Sequence, residues 1–471
     1  MASIEHIFCG VALAAALIVT TELARAESAT SVHGVGSVSL AYTDNMFGVP
    51  SDTAPGQPGP IGVWFLEASP GLMLVHETRQ SLHTLTYSHP FTRYLGNDQG
   101  TQQSDVGAWR GLFTPSPQDE IVLGLTVERS NTALGGFQTT PDQTTTPSYL
   151  MGDNVLLQAR FSQEYARELS PQWDMTVSSG AGAVVPVDVP SPQPIRYEVL
   201  VGGGAEHAVG TERYAVLAEG TYFLTSEVDE PCLPLAATSQ VVVSGTLRWR
   251  HDLNDLWSTE LSGGVAGALR TDPVRGGVWG PVALAALRYA EEGHEGSLVV
   301  QRTLGPDLLT ARTLMADHLF MAGGVPLDRD STFVVRTGMG YAHNRSLQVE
   351  ESGFLAGSPF ATSRTGQDPR LLATFDTLVF DASVGWYPEN LPFVELRGQH
   401  LEQVGGTSAE AGVTSFQRNM GMLTAGMTWP SREPARMQTR EPRPTNRTRQ
   451  HESRQRPVGP TTHLPARSPT E

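Results

Sequence analysis

The chain of 471 residues has only two cysteines, Cys9 and Cys232. Cys9 lies in an N-terminal apolar run, so only Cys232 remains once that run is removed on export. A single cysteine forms no intramolecular disulfide, and it excludes a metal or redox site of the C-x-x-C type. A large exported protein without disulfides suits a fold that a membrane stabilises.

Long hydrophobic runs are also missing. The one apolar run, about residues 7–19, is shorter than the ~18–20 residues that a membrane helix needs. It is followed by Ala24 and Ala26, which form an A-x-A cleavage site. We therefore predict that residues 1–26 are a secretory signal peptide cut between Ala26 and Glu27. It departs from the usual pattern in one respect, because residues 1–6 contain no Lys or Arg.

Lysine is absent, so all 32 basic residues are arginines, and they face 49 acidic residues. The formal net charge of −17 argues against nucleic acid as a partner, since such binding depends on neutralising phosphates with cationic side chains. A strongly acidic body instead favours cations in a pore, or divalent ions that bridge it to a lipopolysaccharide surface.

Catalytic motifs are missing as well. The chain contains no G-x-S-x-G, no H-E-x-x-H and no phosphate-binding glycine-rich loop. Ser88 and His89 are adjacent, and adjacent residues of a regular strand point to opposite faces, so they form no dyad there. We therefore predict no enzyme, no cofactor and no metal site.

What the chain does contain is strand after strand of alternating residues. The closing stretch, 421–429, puts Gly421, Leu423, Ala425, Met427 and Trp429 on one face. Nine residues are enough to cross a bilayer as a tilted strand, and the stretch ends on an aromatic residue, as at the girdle of a membrane barrel. A soluble sandwich also alternates, but about eighteen such segments favour a barrel.

The connections between these segments alternate in length. Short connections near 77–80, 114–119, 168–172, 207–212, 252–255, 291–295, 326–330 and 387–392 separate others that are mostly longer, such as 130–151 and 344–371. Short turns at one end and long loops at the other are typical of membrane barrels. Seventeen connections give eighteen strands, with sixteen as the alternative if one hairpin is misassigned.

The first strand ends in Tyr42-Thr43-Asp44-Asn45-Met46-Phe47. This hexapeptide, together with the aromatic-ended last strand, resembles a diffuse, porin-like group of outer-membrane β-barrel proteins from Gram-negative bacteria. The resemblance is local and carries no substrate. It implies insertion in the outer membrane by the barrel-assembly machinery, with lipid and lipopolysaccharide as surroundings.

Charged residues fall mainly on the face opposite the apolar one. We predict that fourteen of them point into the lumen: Arg110, Glu120, Glu128, Arg160, Glu164, Arg196, Glu198, Arg213, Glu219, Arg248, Arg250, Glu260, Arg270 and Arg336. Mixed charges of this kind line water-filled pores, and they also form salt-bridge networks across closed lumens.

These patterns predict an all-β fold, a transmembrane antiparallel barrel over residues 27–430. Residues 431–471 are rich in Arg and Pro and too polar to bury a core, so we expect a disordered tail. The favoured function is a porin-like channel for small polar solutes or ions. The alternatives are a non-conducting surface barrel in envelope polysaccharide assembly or adhesion, and a soluble secreted β-sandwich or propeller.

Overall fold

A computed structural model describes residues 28–46, 59–96, 101–131, 155–188, 195–226, 238–272, 276–291, 293–307, 312–328, 332–347, 374–388, 391–405 and 415–429. The predicted signal peptide, the tail at 431–471 and much of the long connections lie outside these ranges. Those expectations remain predictions. Among the described residues, no helix is long and apolar enough to cross a membrane.

Twenty strand segments make up a single antiparallel sheet. They are β1 (Ala29–Thr43), β2 (Val63–Glu77), β3 (Ser81–Ser88), β4 (Phe91–Leu95), β5 (Thr101–Gln103), β6 (Asp105–Ser116), β7 (Asp119–Asn131), β8 (Val155–Ser170), β9 (Trp173–Asp188), β10 (Arg196–Val209), β11 (Glu212–Thr225), β12 (Thr238–Asp252), β13 (Trp257–Asp272), β14 (Gly276–Glu291), β15 (His294–Asp307), β16 (Arg312–Pro326), β17 (Phe333–Leu347), β18 (Thr374–Trp386), β19 (Phe393–Gly405) and β20 (Phe416–Trp429).

The sheet closes on itself, because β1 pairs with β2 on one side and with β20 on the other. Segments β3 and β4 both pair with β2 and together form one barrel strand. Segments β5 and β6 form the next one, since they pair with β4 and β3. The protein is therefore a closed barrel of eighteen antiparallel strands. The predicted strand number is confirmed, and the sixteen-strand alternative is not adopted.

Two prolines explain why one barrel strand is split into β3 and β4. Pro90 lies between the two segments, and Pro70 of β2 lies opposite its neighbour His89. Neither proline has an N–H to donate, so the regular ladder cannot continue through this point. The N–H of His89 instead donates to the carbonyl of Pro70 at 2.9 Å. The break was not predicted, although Pro90 was a signal for it.

Eight tight connections lie at one end of the barrel, which we call the short-turn end. Their positions confirm the eight short connections predicted from the sequence. In the turn between β12 and β13, the Asn254 side-chain oxygen accepts from the N–H groups of Leu256 and Trp257 at 2.9 and 2.8 Å. In the turn after β10, Gly210 takes a φ of 59°, a conformation that glycine adopts without a Cβ clash. The opposite end, where the nine other connections fall, is the long-loop end.

The outward face of the wall is an apolar belt, because paired residues on neighbouring strands share a face. Its exposed members include Val38, Leu40, Leu66, Leu72, Val216, Leu247, Leu261, Val265, Phe380, Leu396, Leu423 and Met427. The predicted alternation of the closing strand is confirmed: Leu423 pairs with Leu40 of β1 and with Leu396 of β19.

Aromatic side chains border this belt at both ends. At the short-turn end they are Trp173, Tyr214, Trp249, Trp257, Tyr289, Phe333, Trp386 and Trp429, and at the long-loop end Tyr42, Trp64, Tyr197, Tyr222, Trp279 and Tyr341. Phe333 and Tyr341, like Tyr214 and Tyr222, lie eight residues apart on one strand, which is about 26 Å along the strand axis. Two girdles at this spacing are typical of a transmembrane barrel.

The Tyr42–Phe47 motif fastens the seam between the first and last strands. Regular pairing of β1 with β20 ends at Thr43 and Met420. Beyond it, Asp44 accepts from the backbone N–H and the side-chain amide of Asn419 at 2.7 and 2.6 Å. The amide of Asn45 donates to the Gln417 carbonyl at 2.9 Å. We call these four residues, Asp44, Asn45, Gln417 and Asn419, the seam clasp.

Substitution of Asp44 by Ala tests the clasp. The variant loses two hydrogen bonds to a charged acceptor, so we expect the free energy of unfolding to fall by about 2–3 kcal/mol. The measurement is the urea concentration at which the folded, heat-modifiable band disappears from a cold gel. Asp255→Ala, in an exposed turn at the other end, is the matched control and should change stability by no more than about 0.5 kcal/mol. Equal effects of the two substitutions would contradict the role of the clasp.

Candidate functional site: the lumen of the barrel

The inner wall carries charge where the outer wall carries apolar side chains. Arg213, Arg250 and Glu260 are paired in one row across β11, β12 and β13, on the opposite face from the outward Trp249. Continuing this register around the barrel places all fourteen predicted positions on the inward face. The side chain of Arg270 lies outside the described atoms, so only its backbone position is known.

Two of the predicted residues, Arg213 and Arg248, meet at Glu206 near the short-turn end. Arg213 and Arg248 both donate to the carboxylate of Glu206, at 3.2 and 2.6 Å, and the three side chains are only 11–15% exposed. Ala215 lies between Glu206 and Arg248 in the register, and its small side chain leaves room for the pair to meet.

The same cluster extends along the wall to β14. Arg288 donates to Glu260 at 2.9 Å, and Arg250 lies 3.7 Å from Asp252. Arg213, Arg248, Arg250 and Arg288, which we call the arginine cluster, thus share three carboxylates among four guanidinium groups. Asp174 of β9 is paired with Glu206 in the register, so a fourth carboxylate lies beside these guanidinium groups.

A different part of the wall is acidic. Glu128 of β7, Glu164 of β8 and Glu219 of β11 face inward and have no ion-pair partner among the described residues. Arg160 and Glu198 lie close by and pair with each other at 3.3 Å. Unpaired carboxylates in contact with water attract cations.

A third group lies where β18 turns into β19. Arg336 donates to the hydroxyl of Tyr387 at 2.9 Å, and its guanidinium also lies 5.2 Å from the centre of the Tyr387 ring. The same hydroxyl donates to Glu395. Burial, together with the bond to Glu395, raises the pKa of Tyr387 to about 12, so this phenol stays protonated at physiological pH. Gly385 permits the contact, because a Cβ there would overlap the ring.

The inner wall is more crowded at the long-loop end. Asn344, Thr377, Gln403 and Arg418 face inward from β17 to β20, yet each is at most 1% exposed. In a hollow cylinder of eighteen strands, inward polar side chains would be in contact with water. These four side chains are therefore shielded from the water of the lumen.

Several inward charges were missed by the sequence reasoning, among them Glu67, Glu206, Arg288, Asp381, Arg397 and Arg418. Arg397 donates to Asp381 at 2.5 Å across β18 and β19. Glu206 had a usable signal, because it lies eight residues after Glu198 and thus on the same face of β10. No signal indicated that Arg418 is buried, since this depends on the surroundings of the closed barrel.

Metal ligands do not gather within the described ranges: no group of three or more His, Cys, Asp or Glu side chains there is arranged to hold an ion. His89 lies beside Asp105 at 2.8 Å, on the outward face and away from the lumen.

Glu206→Gln tests the arginine cluster. Two guanidinium groups would lose their charged acceptor, so we expect the free energy of unfolding to fall by about 1–3 kcal/mol in denaturant titrations. Glu128→Gln is the control on the same inward face, and its stability should stay within about 0.5 kcal/mol of the native protein. A neutral outcome for Glu206→Gln would show that the cluster does not stabilise the wall.

No family model and no curated protein matches the sequence. Solved structures that resemble the fold include the outer membrane protein OpdK of Pseudomonas aeruginosa, with 9% identity and a TM-score of 0.41 over 85% of this chain and 99% of that one. OccK2 (OpdF) of the same organism, in complex with glucuronate, has 9% identity and a TM-score of 0.42 over 86% of this chain and 98% of that one. A BenF-like porin of Pseudomonas fluorescens Pf-5 has 9% identity and a TM-score of 0.43 over 85% of this chain and 98% of that one.

Proposed function

We propose that the protein is a channel of the bacterial outer membrane through which small polar solutes or ions pass. The observation that carries the proposal is the separation of the two wall faces. The outer face is an apolar belt between aromatic girdles, and the inner face carries the arginine cluster and the unpaired glutamates. Charged side chains on the inner face of a barrel are typical of a lumen filled with water, where they set the preference for ions.

The size of the barrel supports passage. Barrels of 16–18 strands leave an aqueous channel unless a segment fills it. The unpaired Glu128, Glu164 and Glu219 favour cations as the permeating ions, and so does the net charge of −17.

Placement in the outer membrane also forms part of the proposal. It is supported by the girdles, by the closing Trp429 and by the predicted export signal with cleavage between Ala26 and Glu27. The surrounding partners are then lipid, lipopolysaccharide and the barrel-assembly machinery. The proposal includes no catalytic step.

A second function is favoured by the buried inward side chains at the long-loop end. If the lumen is closed at that level, the barrel acts at the cell surface without conducting, in polysaccharide assembly or adhesion. Asn344, Gln403 and Arg418 carry this alternative, because side chains at most 1% exposed are not lining an open passage.

Conductance in a planar bilayer separates the two. We expect the full-length refolded protein to give steady current steps that favour cations in a salt gradient. The double variant Glu128→Gln/Glu164→Gln should keep the steps and shift the reversal potential towards anions, because two fixed negative charges leave the wall.

Glu212→Gln is the matched control for this experiment. Glu212 belongs to the outward row of β11, so its loss should leave the reversal potential unchanged. A folded, heat-modifiable protein that gives no current would overturn the channel and favour the surface barrel. An unchanged ion selectivity in the double variant would show that Glu128 and Glu164 do not determine it.

A further inference from the structure

One polar pair interrupts the apolar belt on the outside of the barrel. Gln163 of β8 and Ser179 of β9 are directly paired in the register. Both share the outward face with Phe161, which is 37% exposed. The Gln163 side chain is exposed as well.

The pair lies between the two girdles. Along β9, Ser179 follows the girdle residue Trp173 by six positions. Four positions further on, Ala183 pairs with Tyr197, a member of the other girdle. Gln163 and Ser179 are thus at a depth where the surrounding solvent is hydrocarbon.

An amide at that depth needs a hydrogen-bond partner. Neither Gln163 nor Ser179 has a side-chain hydrogen bond to any described residue. Thr337, which also faces outward between the girdles, shows the usual solution, because its hydroxyl donates to the Asp381 carbonyl at 3.3 Å. A polar side chain that faces lipid without such a bond is costly, whereas a bond to a neighbouring protein removes the cost.

A second polar group lies on the same side of the barrel, nearer the long-loop end. Asp105 of β6 accepts from Tyr87 and contacts His89, both at 2.8 Å, and Arg129 of β7 lies 3.9 Å away. Tyr87, Asp105 and Arg129 are in outward rows. The outward rows of β17 and β18 carry a comparable group at that end, where Asp376 accepts from Tyr341 and contacts His343. Gln163 and Ser179 are therefore what distinguishes the outer face of β8 and β9.

We propose that this outer face is an interface at which two copies of the chain meet within the membrane, with Gln163 at its centre. A symmetric assembly about an axis normal to the membrane places equivalent residues at equal depth. The Gln163 side chain is both donor and acceptor, so two copies satisfy each other. Ser179 is paired with Val201 of β10, and small outward residues lie diagonally on either side of that pair, Ala181 on β9 and Gly203 on β10, where the walls can approach closely.

Cysteine cross-linking of the full-length protein tests the interface. In a Cys9→Ser/Cys232→Ser background that keeps Gln163, Phe161→Cys on the same outward row of β8 should give a covalent dimer with a short bismaleimide in native membranes, seen as twice the chain mass on a denaturing gel. Val384→Cys, outward on β18 and 39% exposed, is the control on the far side and should stay monomeric. Equal dimer yields at the two positions, no dimer at Phe161→Cys, or a product of any other mass would overturn the proposal.

A second variant measures what the amide contributes. Gln163→Leu removes the polar group from a lipid-facing position, so the barrel should keep its heat-modifiable fold. The mass in mild detergent, measured by light scattering, should fall from that of a dimer or larger assembly to that of a monomer. An unchanged mass would overturn the role of Gln163. Neither outcome depends on whether the lumen conducts.

Discussion

The requirement that every backbone polar group in a membrane be hydrogen-bonded within the protein governs this structure. A sheet satisfies it only by closing, because an open edge would leave a row of N–H and C=O groups in hydrocarbon. Closure joins β1 to β20, and the seam clasp extends the bonding beyond the last regular pair, Thr43 and Met420. The outward and inward faces are consequences of this closure, since each strand then has one side in lipid and one side in the lumen.

Strand number, turn positions and the alternation of the two faces were readable in the sequence for one physical reason. A strand buried against lipid on one side alternates strictly, and a tight turn needs residues such as Asn254 or Gly210. The alternation of residues along each strand and the turn residues between strands are therefore enough to predict the number of strands and their two faces. The break at Pro90 was readable from the proline itself, since a proline interrupts the hydrogen-bond ladder of a strand that is paired on both sides.

The contacts across strands were not readable, because they depend on register. Glu206 and Arg248 are 42 residues apart, and their meeting depends on the exact pairing of β10, β11 and β12. The burial of inward side chains at the long-loop end was equally hidden, because a buried Gln403 or Arg418 looks like any other polar residue of an inward row. The candidate site could thus be predicted as a set of inward charges but not as separate arginine and acidic regions.

The seam clasp also sets the order of events during biogenesis. Asp44 and Asn419 are 375 positions apart, so the first strand must wait for almost the whole chain before it finds its partner. Joining such distant residues has a large entropic cost that local hairpins do not have. The sheet can grow from neighbour to neighbour, but its two free edges stay unpaired until the last strand arrives. During that interval the unpaired edge of β1 must be kept from pairing with strands other than β20.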